Sequence, residues 1–211
     1  MTRVSERILQ ATLDHGTFGM DLLDALHEKV PPTSCANCGK CCFSISFYSL
    51  EYHRIVRYIA QKFSPGELRQ LFYLAINSEQ RRVSVEGEDR FQCVFLDRGS
   101  ALCSIYPVRP FMCRVYGQNM DGTRECSRVE SEQSFSAKEL ETLASRVASC
   151  SEQFEIPVGD RKETLDFFPL EFWIRRVLEG PGAAISWYLQ SPFYEKYLRL
   201  REQEKSVTEP R

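Results

Sequence analysis

Four cysteines within eight residues, Cys35-Ala36-Asn37-Cys38-Gly39-Lys40-Cys41-Cys42, constrain this chain more than any other stretch of it. Two residues between cysteines close a tight turn that aims both sulfurs at one centre, and Gly39 frees the backbone to keep turning. A third cysteine three positions on extends the pattern to C-x-x-C-x-x-C, the opening of the run that ligates a 4Fe-4S cluster in bacterial ferredoxins. Cys42 departs from that run. Adjacent cysteines serve one tetrahedral ion only with backbone strain, so Cys42 reaches a second metal, bridges two ions, or is buried as an inert hydrophobe.

Five further cysteines, Cys93, Cys103, Cys113, Cys126 and Cys150, bring the total to nine. The start, Met1-Thr2-Arg3-Val4-Ser5-Glu6-Arg7, is charged and lacks the apolar run of a secretory signal, so a cytoplasmic location is expected. In a reducing compartment, close sets of cysteines belong to metal or catalytic sites more often than to disulfides. With Cys93, Cys103, Cys113 and Cys126 the ligand candidates number eight, which suits two sites of four thiolates or one polynuclear site with spares. Zinc and iron-sulfur chemistry both accept such soft ligands. Cys150, in a helical stretch, is expected to be a buried free thiol.

Four thiolates leave an excess of negative charge around either zinc or an oxidised 4Fe-4S cluster. Lys40, Arg109 and Arg114 lie beside the cysteines in sequence and are the candidates to offset it through charge-assisted hydrogen bonds to the bound group. His53, on the helix after the run, is expected to be a surface or packed imidazole, and His15 and His27 have no companion at ligand spacing. A formal net charge of -2, from 27 basic and 29 acidic residues, gives no field that would recruit nucleic acid or an anionic membrane. Apolar stretches such as Phe167-Phe168-Pro169-Leu170 fall far short of the roughly 18 residues of a bilayer span.

Apolar periodicity predicts two helices within residues 4 to 29, joined near Gly16 to Gly19 and stopped by Pro31-Pro32. Phe43 to Phe47 alternates as a strand. Ser49 is expected to cap a helix to Phe63, and Ser64-Pro65-Gly66-Glu67 opens another, to about Asn77, with a capping box. Strands are expected from Val83 to Tyr106, with Asp97-Arg98-Gly99 as a three-residue hairpin loop and Gly99 left-handed. That register sets Leu96 opposite Ser100 and Cys93 opposite Cys103, about 5 Å apart. A short helical turn from Phe111 carries Cys113 and Arg114. Beyond Cys126 the chain reads as helical: from Ser136 to Ala148, from Pro169 to Gly180, and from Pro192 to Glu202. The aromatic residues Phe167, Phe168, Phe172, Trp173, Trp187, Tyr188, Phe193 and Tyr194 are expected to pack as core.

Taken in order, Cys35-x-x-Cys38-Gly39-x-Cys41-Cys42, Cys93-x-Phe95-Leu96 and Cys103-x-Ile105-Tyr106-Pro107-x-Arg109-Pro110-x-x-Cys113-Arg114 resemble the CxxCxxCC family, the YkgJ-like cysteine cluster proteins. The family is regarded as zinc- or iron-chelating. The resemblance covers roughly residues 31 to 126 and implies that the first seven of these cysteines form the presumed metal site, with Cys126 where a further cysteine commonly follows. The same cysteine domain resembles part of the bacterial flagellin lysine methylases.

The fold expected is α+β, mainly helical, with a small β-hairpin and a cysteine-rich metal-binding loop region. One domain spans residues 1 to 211, with a cysteine-cluster region over 31 to 126 and a helical extension over 132 to 205. The expected function is to hold an iron-sulfur cluster (4Fe-4S) or zinc for electron transfer, sensing, or a structural role toward a protein partner. The alternative from another class is an enzyme of protein side-chain modification, for which the sequence offers no set of acid, base or nucleophile.

Overall fold

The computed structural model describes residues 3–30, 42–85, 87–115 and 136–208. Cys35, Cys38, Cys41, Cys126, Lys40 and the Pro31-Pro32 stop lie outside these residues. The mainly helical α+β expectation is met: nine helices and three two-stranded antiparallel sheets are present among the described residues.

Helices α1 (Arg3–Asp14) and α2 (Met20–Lys29) form where the periodicity placed them, and the positive φ of +76° at Gly19 turns the chain into α2. Strand β1 (Ser46–Tyr48) leads directly into α3 (Ser49–Lys62). Here the expected cap is corrected. Tyr48 is the N-cap, its amide donating to Glu51 Oε2 at 3.0 Å, while the Ser49 hydroxyl instead accepts from the Glu152 amide at 2.9 Å. Helix α4 (Pro65–Ile76) carries the capping box read from its sequence, Ser64 and Glu67 each accepting the other's amide hydrogen.

After a 3-10 turn at Ser78–Arg81, β2 (Arg82–Val85) and β3 (Glu88–Phe91) make the first hairpin, so the tight turn falls at Gly87 and not at Asp97. Between Cys93 and Ser104 only one bridge forms, and it joins Leu96 to Cys103. The expected pairing of Cys93 with Cys103 is therefore overturned. The cause is local: Asp97 accepts from the Gly99 amide and the Ser100 hydroxyl, and the left-handed residue is Ala101 at φ 56°. The loop is lengthened accordingly, closing with the Asp97 amide on the Leu102 carbonyl at 2.9 Å.

Helix α5 (Phe111–Val115) and helix α6 (Ala137–Ser149) follow. An all-helical remainder is not what forms. β4 (Phe154–Val158) and β5 (Arg161–Leu165) make a second hairpin, in which Phe154 and Ile156 alternate inward, and β6 (Phe167–Pro169) pairs with β1. Helices α7 (Leu170–Glu179), α8 (Pro181–Leu189) and α9 (Pro192–Thr208) complete the chain. Gly180-Pro181 does not simply end a helix: Pro181 stands at the first position of α8, where its missing amide hydrogen costs nothing.

The larger core packs α1, α3, α4, α7 and α8 around aromatic side chains, with Phe168 and Phe172 stacked at 3.9 Å and Trp173 edge-on to both. Burial of each such ring contributes about 2–3 kcal/mol. Trp173 also donates from Nε1 to the carbonyls of Phe47 and Phe168, both at 3.1 Å, which fixes β1 and β6 against the head of α7. A smaller core joins Leu23 and Leu26 of α2 and its C-cap Val30 to Leu50, Phe111, Leu140 and Val147. The site lies where the larger core meets the segment 44–47.

Candidate metal centre

Segment 42–44 runs antiparallel to 91–93. The Cys93 amide donates to the Cys42 carbonyl at 2.8 Å, the Ser44 amide donates to the Phe91 carbonyl at 2.7 Å, and Phe43 bridges Gln92. The end of the cysteine run is thereby stitched to the segment that follows β3 and carries Cys93, although Cys42 and Cys93 are 51 residues apart. Three residues further on, the same segment becomes β1 and pairs with β6, so it also reaches the first turn of α7.

Between these elements lies a cavity of about 40 Å³, walled by Cys93, Cys103 and Cys113 together with Ser44, Arg109 and Glu171 and by apolar residues including Ile45, Phe47, Phe95 and Ile105. Burial pushes the Cys93 thiol up to about 12, helped by the neighbouring Cys103 and opposed by the Phe95 amide and Arg81. Cys113 is likewise raised, first by burial and then by Cys93 and Cys103, with Arg109 pulling the other way. The three thiols thus share one electrostatic environment. A cation entering it must displace protons, since the thiolate is the ligand. Among the described residues, no three His, Cys, Asp or Glu side chains stand at spacing that would already hold a metal.

Cys113 reaches the cavity because α5 starts at the right place. The Phe111 amide donates to Glu51 Oε1 at 2.5 Å, while the other oxygen of Glu51 caps α3, so one carboxylate sets the ends of two helices. Glu51 is 1% exposed. His27 Nε2 lies 3.7 Å from Glu51 Oε1, and burial lowers the histidine's pKa against the opposing pull of Glu51. Sequence reasoning missed Glu51 at this site. Its place three residues after the cap signals a capping role and carries no hint of the partner sixty residues away.

Arg109 lines the cavity and lies over the Tyr106 ring, 4.2 Å from its centroid. Arg114 is buried and donates to the carbonyls of Pro107 at 2.8 Å, Arg109 at 3.3 Å and Val30 at 3.4 Å. These bonds tie the proline-rich bend to the end of α2, immediately before the cysteine run. Cys150, half-buried at the end of α6, packs in the smaller core. His53 stacks on His15 at 3.7 Å, away from the cavity walls.

The opposite wall holds a second feature the sequence did not announce. Arg81, 2% exposed, donates to the carbonyls of Leu74 and Gln92, to the Ser44 hydroxyl and to Glu171 Oε1. Glu171, 1% exposed, occupies the first turn of α7, and burial raises its pKa against the pull of Arg81.

A mainly helical frame that delivers two thiols from one loop and a third from a short helix to one small cavity defines a cysteine-based chelating domain. The chain belongs to the CxxCxxCC family: the family model described as "Putative zinc- or iron-chelating domain" matches residues 34–150, more than half of the 211. The match runs past the expected limit at 126 and takes in α6 and Cys150. Neither the curated proteins nor the solved structures yielded a match. No helix among the described residues is long and apolar enough to cross a membrane.

Proposed function

We propose that this chain is a metal-binding protein in which Cys93, Cys103 and Cys113 join the run Cys35, Cys38, Cys41 and Cys42, with Cys126, to hold iron or zinc. The observation that carries this reading is the hydrogen bond from the Cys93 amide to the Cys42 carbonyl, which brings the end of the run to the wall of the three-thiol cavity. A cavity of about 40 Å³ has room for a few water molecules, which favours a single ion over a four-iron cube at that wall. A single thiolate-bound ion suits a structural or sensing role, because it ties loops together without redox chemistry of its own when the metal is zinc.

Arg109, beside Cys113, is the cation best placed to offset thiolate charge, whereas the carbonyl bonds of Arg114 support a positioning role. The same reading treats the chain as one domain working in a reducing compartment. A second reading rests on the ferredoxin-like spacing: Cys35, Cys38 and Cys41 hold a 4Fe-4S cluster that transfers electrons.

Anaerobic purification followed by visible absorption and assay of iron, zinc and acid-labile sulfide tests both. Stoichiometric zinc, or iron without sulfide, agrees with the first reading, and a brown protein containing sulfide agrees with the second. Protein that retains neither metal and carries paired, oxidised cysteines contradicts both.

A further inference from the structure

Glu171 stands outside the matched segment and is not a cysteine, yet it lines the same cavity as Cys93, Cys103 and Cys113. Its two carboxylate oxygens are treated differently. Oε1 accepts from Arg81, while Oε2 is buried with no hydrogen-bond partner. The Ser44 hydroxyl and the amide of Glu171 itself also lie within hydrogen-bonding reach of this carboxyl group and oppose the effect of burial, yet neither satisfies Oε2. A buried acceptor left without a partner is destabilising, and more so when the group is charged.

We propose that Glu171 Oε2 is an oxygen donor to the ion held in this cavity, making the site a mixed one of sulfur and carboxylate. The inference rests on the single-ion reading above. Zinc and ferrous iron both accept carboxylate beside thiolate, and a ligating carboxylate is characteristically held by a second hydrogen-bonding group on its other oxygen. Arg81 is that group, and three of its other acceptors, on Leu74, Ser44 and Gln92, keep its guanidinium fixed.

Cys93 and Glu171 line the same cavity, so one cation between them would relieve the repulsion between thiolate and carboxylate. The three thiols and the carboxylate line one cavity without standing at ligating distance among the described residues, so binding would require them to close on the ion. Such a bond would join the first turn of α7 to the cysteine-bearing segments, a turn already held to β1 through β6 and through Trp173, which donates to the Phe47 carbonyl.

Cobalt(II) is the probe. The full chain, prepared anaerobically and freed of metal, is titrated with cobalt in wild-type and Glu171→Gln forms, recording sulfur-to-cobalt charge-transfer bands and the visible d–d bands. Gln keeps an oxygen for Arg81 and removes the charge. The expected result is a charge-transfer band in both proteins, displaced d–d bands in E171Q, and cobalt affinity weaker by about 10-fold or more.

Glu171→Asp, which retains the charge but withdraws the oxygen, gives the same displacement should E171Q fold poorly. Superimposable d–d bands and equal affinity in wild type and either folded variant overturn the carboxylate ligand alone. No sulfur-to-cobalt band in the wild type overturns both this inference and the reading it rests on.

Discussion

His53 shows how a single side chain can govern the response of this protein to acid. Its ring stacks on His15, meets Tyr52 edge-on, and lies near Arg57 and Arg176, while its Nδ1 is buried without a partner. Burial first, and the neighbouring cationic groups second, push its pKa down to about 3. A histidine whose folded pKa is lowered contributes no penalty above its unfolded value near 6.5. As pH falls below that value the unfolded chain takes the proton and the folded one does not, so stability falls across the window from about 6.5 to 3. His53 alone should remove about 2 kcal/mol between pH 7 and pH 5. Urea denaturation at the two pH values checks this, and His53→Phe, which keeps an aromatic ring, should lose markedly less than the wild type over the same interval.

Elements here are set by residues that serve two of them at once. Glu51 caps α3 and accepts the first amide of α5, so Glu51→Ala removes acceptors from one buried and one half-buried N–H group. The expected cost is about 2–4 kcal/mol in urea denaturation, accompanied by weaker metal retention because α5 carries Cys113. Gly19 is the corresponding joint between α2 and α6. A Cβ there would stand 3.0 Å from Leu50 Cδ1 and 3.1 Å from Cys150 Cβ, on a backbone already at φ +76°. Gly19→Ala should therefore destabilise by about 1–3 kcal/mol, whereas Gly66→Ala, where the nearest neighbours are 3.9 Å away and φ is ordinary, should cost far less.

For the molecule as a whole, the account makes metal part of the fold. If the ion joins loops separated by dozens of residues, removing it with a chelator should lower Tm by about 5 °C or more and expose the chain to limited proteolysis. Unchanged melting after complete removal would contradict a structural ion.

Much of the frame was legible in the sequence because its signals are local: the capping box at Ser64, the serine cap at Ser136, where the Glu139 carboxylate pairs with Lys29 in place of closing a box, the apolar periodicity of α1 and α2, and an aromatic set that does pack as core. The gathering of Cys93, Cys103 and Cys113 at one cavity was also legible, though by a different route from the expected register. Asp97 captures the turn and Ala101 takes the left-handed conformation, which no simple hairpin rule foretells. Glu51 and Glu171 were not legible at all as parts of this site. Each looks like an ordinary first-turn glutamate, and its meaning comes from partners sixty and ninety residues away. The β4–β5 hairpin was missed because the only inward residues of β4 are Phe154 and Ile156, too few to declare a period.

The central claim is that sulfurs from separate loops share an ion. X-ray absorption at the edge of the metal carried by the purified protein, compared with that of Cys113→Ser, tests it most directly. The account predicts sulfur neighbours at about 2.3 Å in the wild type and roughly one fewer per metal in the variant. Equal sulfur counts in the two proteins, or a first shell of nitrogen and oxygen alone, would contradict it.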